Sequence, residues 1–407
     1  MSAAAARRAL PVLLLCVVCT QTALNVARPL ISYRAIALGG DALAIGLITS
    51  AYAVLSLAVA LPLGRFTDRT GRNTVVLTAG TVLLVLGPVL LAAAPSLPLL
   101  ACAAALLGFG HIVFMVGGQG FIARMPDADL DRNFGYFTAA VSAGQMLGPL
   151  LAGALLGEGS GADLAGPTAF VLVLAGLVAA AGLPSCVLLL RAPAPRPPVA
   201  GSADAAPSAL HMLRSPGMVG GLFTSLALLA AVDLLTAYLP LIAHERGIAP
   251  AVAGVLLALR SAASISSRLL LPRLLRRWSR RVLIGASSLG AGVFLAVLTL
   301  PGAGVAGMAI ALAVGGFLLG IGQPLTMTAV VKSVPGHARG AALALRLWAN
   351  RTGQVAIPAV AGVAAGALGA AGALWFAALV LVAASGTARR TPADEPGPDR
   401  AGTPPQR

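Results

Sequence analysis

Gly144-Gln145-Met146-Leu147-Gly148-Pro149-Leu150-Leu151-Ala152-Gly153 and Gly353-Gln354-Val355-Ala356-Ile357-Pro358-Ala359-Val360-Ala361-Gly362 share one pattern, G-Q-x-x-x-P-x-x-x-G. Both copies sit inside long apolar runs. Working outward from them, apolar stretches cover residues 10–32, 42–64, 74–94, 97–122, 134–157, 168–190, 217–241, 250–271, 282–301, 304–329, 341–365 and 368–386. A helix of about 20 apolar residues crosses a bilayer, so each stretch is a candidate span. The two copies fall in the fifth and eleventh of twelve spans, which makes the halves homologous. A weaker echo, Leu106-Leu107-Gly108-Phe109-Gly110 against Leu318-Leu319-Gly320-Ile321-Gly322, joins the fourth span to the tenth. The expected fold is an all-α integral membrane protein, with twelve transmembrane helices in two six-helix, pseudo-symmetric bundles.

Composition leads to the same class. Of 407 residues 58% are hydrophobic and 10% charged, and the mean hydropathy of +0.91 excludes a water-soluble globular fold. The net charge of +15 does not mark a nucleic-acid partner, because the basic residues recur in short groups between apolar runs instead of sharing one surface. Arg69, Arg72, Arg124, Arg132, Arg191, Arg196, Arg214, Arg273, Arg276, Arg277, Arg280, Arg281, Lys332, Arg339, Arg389 and Arg390 all lie in alternate connections or termini. Those segments are expected to be cytoplasmic, with both termini inside. The opposite connections hold little beyond Arg34 and Arg246. The first span follows Arg7 and Arg8 as a signal peptide would, but its apolar stretch is longer than such a segment needs and it counts as a helix.

The expected domains are a six-helix bundle over 1–190, a cytoplasmic Pro-rich linker over 191–216, a second bundle over 217–386 and a disordered cytoplasmic tail over 387–407. Cys16, Cys19, Cys102 and Cys186 all fall in apolar runs, where no disulfide framework between extracellular loops is available to them; Cys16 and Cys19 form a C-x-x-C read as two buried small side chains, and no metal site is expected. Gly302-Ala303-Gly304-Val305-Ala306-Gly307 fits G-x-G-x-x-G, yet it lies between two spans, so no dinucleotide or other cofactor is expected. Lys332 is the single lysine among 28 basic residues, a bias that with the Ala and Gly excess suggests a GC-rich genome and a bacterial inner membrane.

Between the second and third spans stands Gly64-Arg65-Phe66-Thr67-Asp68-Arg69-Thr70-Gly71-Arg72-Asn73, which resembles the G-x-x-x-D-[RK]-x-G-[RK]-[RK] signature of the major facilitator superfamily. Asn73 replaces the last basic residue. The resemblance implies a gate at the cytoplasmic side formed by Gly64, Asp68, Arg69, Gly71 and Arg72, with Asp68 facing the start of the eleventh helix near Gly340 and Arg346 available to meet it. The fifth span, with Gly144, Gly148, Pro149 and Gly153, is similar to the family's g-x-x-x-G-P-x-x-G-G pattern, associated with proton-exchanging exporters; Ala152 departs from it. The family's fourth-helix arginine has no counterpart, since Ala104 stands at its position.

Ionisable and amide side chains inside spans are costly and are functional candidates. Gln21, Asn25 and Arg28 share one face of the first span, Arg346, Asn350 and Gln354 one face of the eleventh beside Arg351, and Arg260, Ser264 and Arg268 one face of the eighth. His111 and Gln119 in the fourth span, Asp233 and Thr236 in the seventh, and Gln323 and Thr326 in the tenth complete the set; in the family these spans line the path. The candidates for substrate binding or coupling are thus Gln21, Asn25, Arg28, His111, Gln119, Asp233, Arg260, Gln323, Asn350 and Arg351. Asp233 is the only carboxylate in the membrane interior and the expected proton-coupling group, with a fixed Asp233–Arg260 pair as the structural alternative.

No catalytic constellation occurs, so an enzyme is not expected. The expected function is secondary transport of a small organic molecule by alternating access, as proton-coupled efflux by an antiporter-like monomer in the plasma membrane. The alternative is uptake or facilitated transport of an organic anion, suggested by the arginine surplus and Ala104. A membrane sensor is the remaining alternative, disfavoured by the lack of any sizeable soluble segment.

Overall fold

The computed structural model describes residues 3–125, 130–158, 164–191, 209–300, 302–334 and 338–387, leaving aside the side chains of residues 3–7, 68, 130, 131 and 340. The first half contributes α1 (Ala3–Ala37), α2 (Ala42–Thr70), α3 (Asn73–Ala93), α4 (Leu97–Ala123), α5 (Leu130–Leu156), α6 (Ala165–Ala180) and α7 (Leu183–Arg191). After a short α8 (Ala209–Leu213) come α9 (Met218–Glu245), α10 (Pro250–Arg277), α11 (Arg280–Leu298), α12 (Val305–Lys332), α13 (Arg339–Leu368) and α14 (Ala370–Thr387). No strand forms among the described residues.

Eleven stretches of helix are long and apolar enough to cross a membrane, with α6 and α7 counted as one. The predicted eleventh span is α13, at 30 residues long enough, but Arg346, Asn350, Arg351 and Gln354 interrupt its apolar run. The sixth span is not one continuous helix: it breaks at Ala181-Gly182, where Pro184 removes the N–H that would bond the Ala180 carbonyl. The eleventh ends at Gly369, whose φ of +71° suits a residue without a Cβ. Part of the linker region is helical, since α8 seats Met212 against Met218, Leu222, Val334 and Ala338. Residues 192–208 and the tail beyond 387 lie outside the described residues.

Helices α1–α7 pack among themselves, as do α9–α14, and the two bundles meet where α2 crosses α13, α5 crosses α10 and α1 approaches α9. Both crossings use the repeated motif in the same way. A Cβ on Gly254 of α10 would run into the Pro149 carbonyl and lie 2.9 Å from Gly153 Cα; one on Gly46 of α2 would lie 2.8 Å from the Pro358 carbonyl and 2.5 Å from Gly362 Cα. The proline and final glycine of each motif copy therefore receive a glycine from the opposite bundle, so backbones touch directly.

The two arginines that stand apart from the Arg-rich connections also repeat. Arg34, near the end of α1, donates to the Ala94 carbonyl at the end of α3 (3.0 Å), and Arg246, just past α9, donates to Leu298 (3.2 Å) and Thr299 (2.7 Å) at the end of α11. Each satisfies last-turn carbonyls of a neighbouring helix, where a cation also meets the negative end of the helix dipole. Arg246→Ala is expected to lower stability by about 1.5–3 kcal/mol, the range for hydrogen bonds to a charged donor. Thermal unfolding of the purified protein checks this, with unchanged transport as the companion result.

The four cysteines are free. Cys16 and Cys186 are buried with their sulfurs 3.6 Å apart beside Thr81, and Cys102 is exposed; of the C-x-x-C pair expected to be buried, Cys16 is and Cys19 is half-buried.

Candidate transport site

The bundles are joined at their centre by the only ion pair among the described residues: Arg28 of α1 donates to Asp233 Oδ1 of α9. Gln354 of α13 donates to the other oxygen, Oδ2, at 2.6 Å, and Arg351 Nη1 donates to Gln354 Oε1 at 2.8 Å. The Arg28 guanidinium lies 5.2 Å over the Tyr52 ring of α2, and Tyr52 Oη is 2.9 Å from His111 Nδ1 of α4. One connected polar chain thus runs Arg351–Gln354–Asp233–Arg28–Tyr52–His111 through helices of both halves. Beside it is a cavity lined by Arg28, Ile31, Ser32, Thr49, Tyr52, Asp233, Thr236 and Ala237.

This arrangement corrects the expected Asp233–Arg260 alternative. Arg260 instead donates to Ser261 Oγ at 2.9 Å, and Asp233 reaches across to the other bundle. Arg260 remains close enough to act electrostatically on the site, in reach of Arg28, Asp233 and Arg268.

The other candidates spread around this centre. Gln21 is buried against Met115 of α4, while Asn25 bonds back to the Gln21 carbonyl at 2.7 Å and serves α1 itself. Asn350 is buried with Oδ1 lacking a partner. Gln323 joins α12 to α9 through the Ser225 carbonyl (3.0 Å) and accepts from Arg346 at 2.8 Å. Arg346 is therefore engaged within its own bundle. Gln119 is exposed and lies eight residues beyond His111 along α4, away from the ion pair.

In the signature loop, Gly71 ends α2 with φ +69° and its N–H returns to the Thr67 carbonyl at 3.0 Å, the tight turn its glycine implies. Gly64 has open space around it and needs no glycine. The Asp68 side chain, and so its meeting with the start of α13, lies outside the described residues. Arg124, just past α4, also reaches this loop and donates to the Thr67 carbonyl at 2.7 Å. In α5, Gly144 and Gly148 pack on the α1 backbone at Gln21-Thr22 and Asn25-Val26.

Five hydrogen bonds between the bundles lie from the centre toward the Arg-poor end. They are Arg28–Asp233, Ser32 Oγ to the Ala237 carbonyl, Ser50 Oγ to the Val355 carbonyl, Tyr238 Oη to the Ala42 carbonyl and Ala251 N to the Gly157 carbonyl. The Arg-poor end is closed.

The family model of the Major Facilitator Superfamily matches residues 13–242 and again 221–406, one match per half. The chain belongs to the major facilitator superfamily. Its members are membrane transporters, and this superfamily chain is a multi-pass transporter of some substrate rather than an enzyme. No curated protein sequence matches it. Similar solved structures include the nucleoside transporter NupG (14% identity, TM-score 0.76, covering 93% of this chain and 99% of that one). A D-xylose-proton symporter (16%, 0.74, 94% and 98%) is another, as is a bacterial homologue of the human lysosomal transporter Spinster in an inward-facing conformation (16%, 0.72, 96% and 98%). At these identities the likeness is one of fold, the two-bundle superfamily architecture.

Proposed function

We propose that this chain is a proton-coupled secondary transporter of a small organic molecule, working by alternating access of its bundles about the Arg28–Asp233 pair. The observation that carries the reading is that the one ion pair of the described interior joins the two moving parts. Protonating Asp233 cancels the attraction between α1 and α9, so the charge state of a single carboxyl biases the contact between bundles. By the positive-inside rule the Arg-rich end is cytoplasmic, with both termini inside, and the arginine-rich composition supports a bacterial inner membrane. The domain limits of 1–190, 191–216, 217–386 and 387–407 and a monomeric working unit belong to the same reading.

Two observations bear on direction. The α5 motif supports export in exchange for protons. The surplus of Arg28, Arg260 and Arg351 over Asp233 supports the second reading, uptake of an organic anion. Proteoliposomes holding a pH dye separate them when candidate solutes are added outside. Lumenal alkalinisation as solute enters means exchange; acidification means that proton and solute travel together. Solute entry with no pH change would overturn proton coupling.

A further inference from the structure

Arg260 is the anomaly of the membrane interior. It is 9% exposed, its one hydrogen bond goes to the neighbouring Ser261, and its Nε has no partner. A buried guanidinium needs a counter-charge, and the only acid acting on it among the described residues is Asp233. That carboxylate is already committed, with one oxygen on Arg28 and the other on Gln354. Arg351, which also feels Arg28 and Asp233, has an unpartnered Nε as well. Arg28 reaches Asp233 directly and Arg351 reaches it through Gln354, which leaves Arg260 with no carboxylate partner. Among the described residues no second acid pairs with these arginines, and Arg260 does not cap a helix as Arg34 and Arg246 do.

We propose that Arg260 is the receptor for the anionic group of the transported molecule, and that the substrate is a small organic anion such as a carboxylate. Arg260 keeps an unpartnered Nε, a donor suited to a carboxylate oxygen, and Arg351 keeps another. The anion reaches the Arg28–Asp233 pair next to them and competes with Asp233 for Arg28. An Asp233 released from Arg28 loses its stabilising cation and takes up a proton, so anion and proton are held together. The Arg260 assignment stands on its own geometry; only the joint binding of a proton rests on the reading of Asp233 as the coupling group.

The test is thermal unfolding of the purified full chain with benzoate, glutarate and citrate, each set against its amide. At least one carboxylate should raise the unfolding temperature by several degrees while its amide does not. Arg260→Gln should abolish that shift and Arg260→Lys should weaken it. Without ligand, Arg260→Gln should unfold at or above the wild-type temperature, because it removes an uncompensated buried charge, whereas Arg246→Gln should unfold below it. The proposal is overturned if Arg260→Gln destabilises the ligand-free protein as Arg246→Gln does, if amides and carboxylates act alike, or if no carboxylate shifts the wild type. Asp233→Asn should keep the carboxylate shift but lose its pH dependence. An equal pH dependence in Asp233→Asn would sink the coupling role of Asp233 and leave the Arg260 site intact.

Discussion

Asp233→Ala is expected to cost about 3–5 kcal/mol of stability, the penalty for stranding one member of a buried ion pair. The Arg28 and Asp233 side chains are 18% and 6% exposed, so water does little to replace the lost partner. Removing both charges in Arg28→Met/Asp233→Leu should recover most of that loss, since the desolvation cost of each ion disappears with its attraction. Transport should remain absent in the double variant. A thermal-unfolding cycle over the four proteins measures the coupling, and additive losses would show that the two residues do not act as a pair.

Gly46→Leu and Gly254→Leu should each prevent closure at the Arg-poor end. The positions have room for no side chain: a Cβ at Gly46 meets Gly362 Cα at 2.5 Å, and one at Gly254 meets Gly153 Cα at 2.9 Å with the Pro149 carbonyl nearer still. Backbone cannot yield as a rotamer can, so the bundles must part. The expected result is a folded protein whose transport is lost and whose central cavity stays open to the Arg-poor side. Thr49 lines that cavity, and a cysteine there, in a background freed of the four native ones, reports it by labelling with an impermeant maleimide. Wild-type labelling of Thr49→Cys in either glycine variant would show that the crossings do not control closure.

The architecture was legible because membrane spans announce themselves by length and apolarity, and because the motif pair Gly144–Gly153 and Gly353–Gly362 marked the two halves directly. The use of that motif was not legible. Nothing local says that Gly153 will meet Gly254, or Gly362 Gly46, since the partners come from other helices and small residues abound in every span. Asp233 stood out as the one interior acid, but its partner did not. Arg260 is the nearest arginine inside a span along the chain, whereas Arg28 lies in the opposite half and is brought over only when α1 meets α9. Tyr52 went unnoticed because a tyrosine in an apolar run counts as apolar, and only the contact with Arg28 and His111 exposes its hydroxyl as part of the site. Gln354 was visible in the polar stripe of α13 but was not among the chosen candidates. Arg34 and Arg246 looked like stray loop charges, and their shared task of capping α3 and α11 appears only when the helix ends are seen together.

The claim that one carboxyl couples the bundles to protons is tested most directly by comparing two transport modes of Asp233→Asn in proteoliposomes. The asparagine preserves size and can still bond Gln354, but it cannot exchange a proton at its side chain. Uphill accumulation driven by a pH gradient should vanish, while counterflow exchange of the same solute at equal pH should persist. Gradient-driven accumulation at the wild-type level by Asp233→Asn would contradict the account.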